Sequence, residues 1–156
     1  MFQGAFYSRK RIRMQKFDYS SSRKYFVTTN VKWRHFSFGE IVDGNMYLNK
    51  YGEIIRSQWE WLINQYPYLK SHAFVIMPDH VHAVIEIHFE NQIGSKIKSL
   101  SEIIGAFKMR SSKEIHLAGA REFQWQRSFF DKIIDSDKEL RSYIQYTIDN
   151  PRNYNP

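Results

Sequence analysis

The sequence predicts an α+β fold, an antiparallel sheet carrying helices with one further helix at the C-terminal end. Three patterns predict it. A short apolar run at residues 73–77 and a strictly alternating run at 80–89 meet across the turn signal Pro78-Asp79 and read as a β-hairpin. Two segments with helical spacing lie on either side of that hairpin. A last segment, bounded by capping residues and a proline, reads as a helix closing the chain.

Residues 25–33 (YFVTTNVKW) are rich in β-branched and aromatic side chains and read as the first strand. A loop with Phe38-Gly39 follows. From about 44 to 66, Leu48, Ile54 or Ile55, Trp59, Leu62 and Ile63 recur at helical spacing. Gly52 interrupts this helix and offers a second starting point near that residue, and Pro67 ends it. In the alternating run, Val81, Ala83, Ile85, Ile87 and Phe89 face one way, and His80, His82, Val84, Glu86 and His88 the other. A second helix over about 97–116 carries Ile97, Leu100, Ile103, Ile104 and Phe107 on its apolar side. Residues 123–125 and 129–134 read as short extended pieces. Asp135 or Ser136 can cap a helix over 137–149, with Glu139 reaching back, and Pro151 blocks its continuation. The order β-α-β-β-α-β-α is ferredoxin-like, with the C-terminal helix added.

The chain has 156 residues, which suits a single domain with a sizeable core. Apolar residues make up 42% and aromatics 17%, a folded rather than disordered composition. No apolar run is long enough to span a bilayer, and the N-terminus does not read as a secretory signal. The absence of cysteine excludes disulfides and thiolate metal sites and fits an intracellular protein. The net charge of +7 invites a polyanionic partner but specifies no chemistry. Residues 1–24 form a basic segment that reads as an arm, with Arg11 and Arg13 as candidate DNA contacts.

The chemistry is concentrated at two places. His80 and His82 share one strand face, with Cβ atoms roughly 6–7 Å apart by strand rise. Two neutral imidazoles so placed can grip one divalent metal. Because the opposite strand face is wholly apolar, the histidine face belongs in a cleft, at a metal or at solvent. Glu86 and His88 lie farther along it and read as surface or supporting residues. On the last helix, Tyr146 and Asn150 are four apart and share a face. Tyr146 can act as a nucleophile, and Asn150 can lend its amide oxygen to a hard cation. Tyr143, one turn earlier, competes with Tyr146 for that role.

The stretch FVIMPDHVHAVIEI (74–87) resembles the His-hydrophobic-His, or HUH, segment of single-tyrosine transposases. The stretch WQRSFFDKIIDSDKELRSYIQYTIDNP (125–151) resembles the C-terminal half of REP-associated tyrosine transposases, with a tyrosine four residues before Asn-Pro. The first strand and the Phe38-Gly39 loop are also similar, so the resemblance spans roughly 8–151. It implies a metal-dependent endonuclease and strand transferase for single-stranded DNA with hairpins, forming a 5′-phosphotyrosine and leaving a 3′-OH. It implies His80 and His82 as metal ligands, Asn150 as the third, Tyr146 as nucleophile, and Mg²⁺ or Mn²⁺ as the metal. The enzyme would act as a monomer or homodimer in the bacterial cytoplasm, at the nucleoid when bound. Further candidate DNA contacts are Lys108, Arg110, Lys113, Arg121 and Arg127 for phosphates, and Trp125 for stacking on a base. The general base stays unassigned. The alternative is a domesticated hairpin-binding protein that keeps the fold without the cleavage. An RNA-binding ferredoxin-like domain fits less well, because its sheet would expose aromatics where this one carries histidines.

Overall fold

The computed structural model of the chain describes residues 22–33, 35–88 and 97–155. Four strands form one antiparallel sheet: β1 (Arg23–Asn30), β4 (Leu69–Ile76), β5 (His80–Ile87) and β6 (Phe130–Ile134). Their spatial order is β4-β5-β1-β6, the ferredoxin-like arrangement expected. A separate hairpin pairs β2 (Gly39–Val42) with β3 (Asn45–Leu48). The helices are α1 (Lys50–Gln65), α2 (Leu100–Leu117) and α3 (Asp137–Asp149).

The expected helix over 44–66 divides. Residues 45–48 are β3, and the helix starts only at Lys50. Asp43 (φ 51°) and Gly44 (φ 77°) supply the two left-handed residues of a tight hairpin turn, a conformation that Asp-Gly favours. Asn49 then caps α1, its side-chain oxygen accepting from the backbone N–H groups of Tyr51 (2.9 Å) and Gly52 (3.0 Å). Of residues 123–125, only Trp125 makes a strand-like contact, an isolated bridge to Val31.

Both faces of the sheet are covered. Val27, Val81, Ala83, Ile85 and Ile87 point toward α1 and α2, where Ile55, Trp59, Leu62, Ile103, Ile104 and Phe107 complete the main core. On the other face, Phe26, Val84, Phe130 and Ile134 form a second cluster beneath Leu140, Tyr143 and Ile144 of α3. Fully burying a side chain such as Phe26 contributes about 2–3 kcal/mol, so this smaller cluster is what fixes α3 on the sheet. Ser136 caps α3 by accepting from Glu139 N–H (3.1 Å), and the Glu139 carboxylate accepts from Asp135 N–H (2.9 Å).

Candidate active site

Register brings the site together. Strand β1 pairs with β5 so that Thr28 lies opposite His82 and Asn30 opposite His80. The two imidazole centroids are 4.7 Å apart. Each Nδ1 has a partner at 2.7 Å: Asp79 Oδ1 for His80, and Thr28 Oγ1 for His82. The Nε2 atoms are left for other contacts. His82 is buried, with its ring stacked at 5.3 Å on Phe26. Burial, and secondarily the charge of His80, pull its pKa down from 6.5 to about 3, against a raising hydrogen bond with Asn150. His82 is therefore neutral at physiological pH, the form a metal ligand needs.

Helix α3 completes the arrangement. The Tyr146 ring lies 5.7 Å from that of His82 and 5.7 Å from that of Phe26. One turn on, the Asn150 amide N–H donates to Tyr146 O (3.0 Å). The same side chain lies close enough to His82 to oppose the lowering of its pKa. His80, His82, Tyr146 and Asn150 thus meet, although up to 70 positions separate them in sequence.

The two tyrosines differ in environment. Tyr143 stacks on Phe26 at 4.8 Å, and burial pushes its phenol up in pKa. Glu139 and Tyr146 add to that shift and Lys132 opposes it. Tyr146, by contrast, is 39% exposed. Among the described residues, no group of three or more His, Cys, Asp or Glu is arranged to hold a metal. The donors that converge are two imidazoles and one amide, a mixed N/O set that suits a hard or borderline divalent ion and leaves positions open.

Of the surface or supporting roles expected for Glu86, burial excludes the surface one. It is buried at 7% exposure, on the same sheet face but toward the other end of β5. A bulge between Ser71 and Ala73 accompanies the contact of His72 Nε2 with its carboxylate (2.7 Å). His88 Nε2 lies at 3.4 Å, Lys24 Nζ at 3.8 Å, and Ser22 bonds His88 Nδ1 at 2.7 Å. Burial raises the Glu86 carboxyl. The His72 bond, the charges of His88 and Lys24 and the Ser22 side chain outweigh it and leave the pKa below the usual value.

The candidate DNA contacts are scattered. Trp125 is corrected: it is buried, its indole N–H donates to Ser111 Oγ (2.9 Å), and Phe38, Phe107 and Phe123 pack around it, so no base can stack there. Arg110 lies 3.6 Å over the Trp61 ring and donates to Gln58 Oε1, joining α2 to α1. Lys108 donates to the carbonyls of Gln126 (2.8 Å) and Ser128. Lys113, Arg121 and Arg127 are exposed. Arg11 and Arg13, with most of the expected arm, lie outside the described residues. Sequence reasoning missed Thr28, Asp79 and Trp33. Trp33 is 46% exposed with Lys32 Nζ 5.1 Å over its ring, and the Val31 N–H donating to Asp79 O ties its segment to the histidine turn. An exposed tryptophan at a strand end was the available signal.

Comparison with known proteins places the chain in a family. Residues 19–147 match the profile of the family described as "Transposase IS200 like". An uncharacterised protein of Haemophilus influenzae is 27% identical over 96% of this chain and 92% of its own length. A second protein of that organism, named as a candidate REP-associated tyrosine transposase, is 27% identical over 67% of this chain and 61% of its own. The fold is similar to that of a REP-associated tyrosine transposase solved with a REP hairpin, with a TM-score of 0.63, 19% identity, and coverage of 88% of this chain and 72% of the other. The chain belongs to the IS200-like transposase family.

Proposed function

We propose that the protein nicks and rejoins single-stranded DNA beside a hairpin, with Tyr146 as nucleophile in a metal-dependent reaction. The observation that carries the reading is the meeting of Tyr146 and Asn150 from α3 with His80 and His82 from β5 on one sheet face. The family and the hairpin-bound structural relative support DNA as the partner.

The Tyr146 oxygen attacks the scissile phosphorus and gives its proton to solvent, and solvent returns one to the leaving 3′ oxygen. The bond from phosphorus to the 3′ oxygen breaks, giving a 5′-phosphotyrosine and a free 3′-OH. Because the phosphodiester is exchanged rather than hydrolysed, attack by a 3′-OH on the phosphotyrosine rejoins the strands. Mg²⁺ or Mn²⁺ held by His80, His82 and Asn150 would supply Lewis-acid stabilisation of the charge that develops on the phosphoryl and leaving oxygens. The two imidazoles and the amide orient that site, and Phe26 sets the height of both His82 and Tyr146 above the sheet. Exposed Lys113, Arg121 and Arg127 are available to phosphates, and Trp33 offers the stacking surface that Trp125 lacks. A chromosomal substrate puts this work in the bacterial cytoplasm; no helix among the described residues is long and apolar enough to cross a membrane.

The test uses labelled single-stranded DNA hairpins with Mn²⁺ or EDTA. Wild type is expected to form a covalent adduct only with Mn²⁺, and Tyr146→Phe none. An adduct surviving in Tyr146→Phe moves the nucleophile elsewhere. Tight hairpin binding with no adduct under any condition favours a domesticated binding protein and removes the enzymatic reading.

A further inference from the structure

The β2–β3 hairpin is a two-stranded ribbon that touches both halves of the site. Its base hangs on the histidine turn: the N–H of Phe38, just before β2, donates to Pro78 O (2.8 Å), two residues ahead of His80. Phe38 is fully buried against Phe36, Phe123 and Trp125, and its carbonyl accepts from the N–H of Asn49 (2.9 Å), just past β3. Met46 and Leu48 pack on the main core. The base is therefore a fixed point. At the far end, a Cβ added to Gly44 would meet Arg152 Cα at 3.5 Å and Arg152 Cβ at 3.9 Å, so the tip lies against the chain two residues after Asn150. That stretch is folded back onto α3: Asn153 N–H donates to Asp149 O (3.1 Å), and the Asn150 side chain donates to Tyr146 O (3.0 Å).

We propose that the β2–β3 ribbon is a strut, a positioning element that fixes the distance between the histidine turn and the tyrosine end of α3. This role presupposes the reading of Tyr146 as nucleophile beside His80 and His82. The second core grips α3 through Leu140, Tyr143 and Ile144, all upstream of Tyr146. The ribbon tip meets the chain downstream of Asn150, so the turn that carries the two site residues is held from both ends. Each strand spans three residue steps, about 10 Å at strand rise. The left-handed Asp43 (φ 51°) and Gly44 (φ 77°) close the ribbon without splaying it. Misplacing a reacting group by about 1 Å can cost about 100-fold in rate. A strut of the wrong length therefore slows the chemistry without removing any group that touches DNA.

A cross-link tests the contact. The chain has no cysteine, and the 3.9 Å between the Cβ positions at 44 and 152 is one that a disulfide spans. Gly44→Cys combined with Arg152→Cys should lose both free thiols on mild oxidation. The oxidised protein should form the DNA adduct as fast as its reduced form, since a strut has no need to move. Shortening the ribbon tests the role. Deleting Ile41, Val42, Asn45 and Met46 removes two strand pairs, keeps the Asp43-Gly44 turn and draws the tip back by roughly 7 Å. With its fold checked by thermal melting, this protein should bind hairpin DNA as wild type does but form adduct about 100-fold more slowly. A 3-fluorotyrosine at position 146, beside the Phe26 and His82 rings, should show a shifted or broadened ¹⁹F signal in the shortened protein. Thiols that persist in the folded double variant, loss of adduct on oxidation, or a wild-type rate in the shortened protein overturns the proposal. If the shortened chain does not fold, the cross-link decides alone. If wild type itself forms no adduct, the enzymatic reading falls, and the ¹⁹F signal then decides the strut: a signal unchanged by shortening removes it.

Discussion

His82 sits nearly out of water between Phe26, Tyr146 and His80, and its neutral form is the one that fits. Its pKa is about 3 in the fold and 6.5 in the free chain. Between those values the unfolded chain binds a proton that the folded one refuses, so stability rises with pH across the window and falls on acidification. In EDTA, urea unfolding of wild type should lose up to about 1.4 kcal/mol per pH unit from this group between pH 6.5 and 3. His82→Asn should show a visibly shallower slope from pH 6.5 to 4.5; equal slopes would mean that burial of His82 does not govern acid stability. Glu86 acts with the same sign lower down. Its depressed carboxyl stabilises the fold above about pH 4.5 and loses that contribution as pH falls through its folded value. Glu86→Gln should therefore flatten the curve only in that acid region. At this scale, the sequence showed the residues that follow one element's own period: His80 with His82, and Tyr146 with Asn150. It could not show Thr28 behind His82 or His72 against Glu86, because those pairings depend on strand register and a bulge across 54 and 14 positions.

The elements were legible where one period ran unbroken. Helix α3 runs over the expected residues because cap, apolar face and proline agree. The β2–β3 hairpin was missed because the helical spacing upstream of α1 absorbed its few residues, although Asp43-Gly44 is a hairpin signal. Gly52, taken as an interruption, is a required close approach: a Cβ there would run into the Phe38 carbonyl oxygen and the Leu48 side chain. In an ordinary helix, Gly→Ala stabilises by about 1 kcal/mol. Here Gly52→Ala should instead destabilise by about 1–3 kcal/mol, since the obstructing atom is backbone at the hairpin's base. A urea midpoint at or above wild type would show that the hairpin can yield. Removing the α3 cap with Ser136→Ala should cost about 1 kcal/mol by the same measurement.

Across the whole molecule, the alternation of β5 predicted one packed face and a histidine face in a cleft, at a metal or at solvent, with no second core on it. Instead α3 covers much of the second face, and the site occupies the uncovered margin at one end of that helix. A short run such as His80–Ile87 shows which residues share a face, but not that Phe26, Val84 and Tyr143 from three elements will build a second small core beside it. That core has a functional consequence. It seats α3 on the sheet of its own chain, so Tyr146 meets His82 without help from another copy. Expected, then, is that an equal mixture of Tyr146→Phe and His82→Ala proteins gives no covalent DNA adduct, and that wild-type adduct per molecule does not depend on protein concentration. If α3 were exchanged between two copies, each hybrid pair would reunite one intact His82 with one intact Tyr146, and the mixture would recover activity that neither variant has alone. Adduct in the mixture would thus assign the working unit to a helix-exchanged dimer; its absence, with both variants folded and binding the hairpin, would assign it to the single chain that Phe26 and Tyr143 hold together.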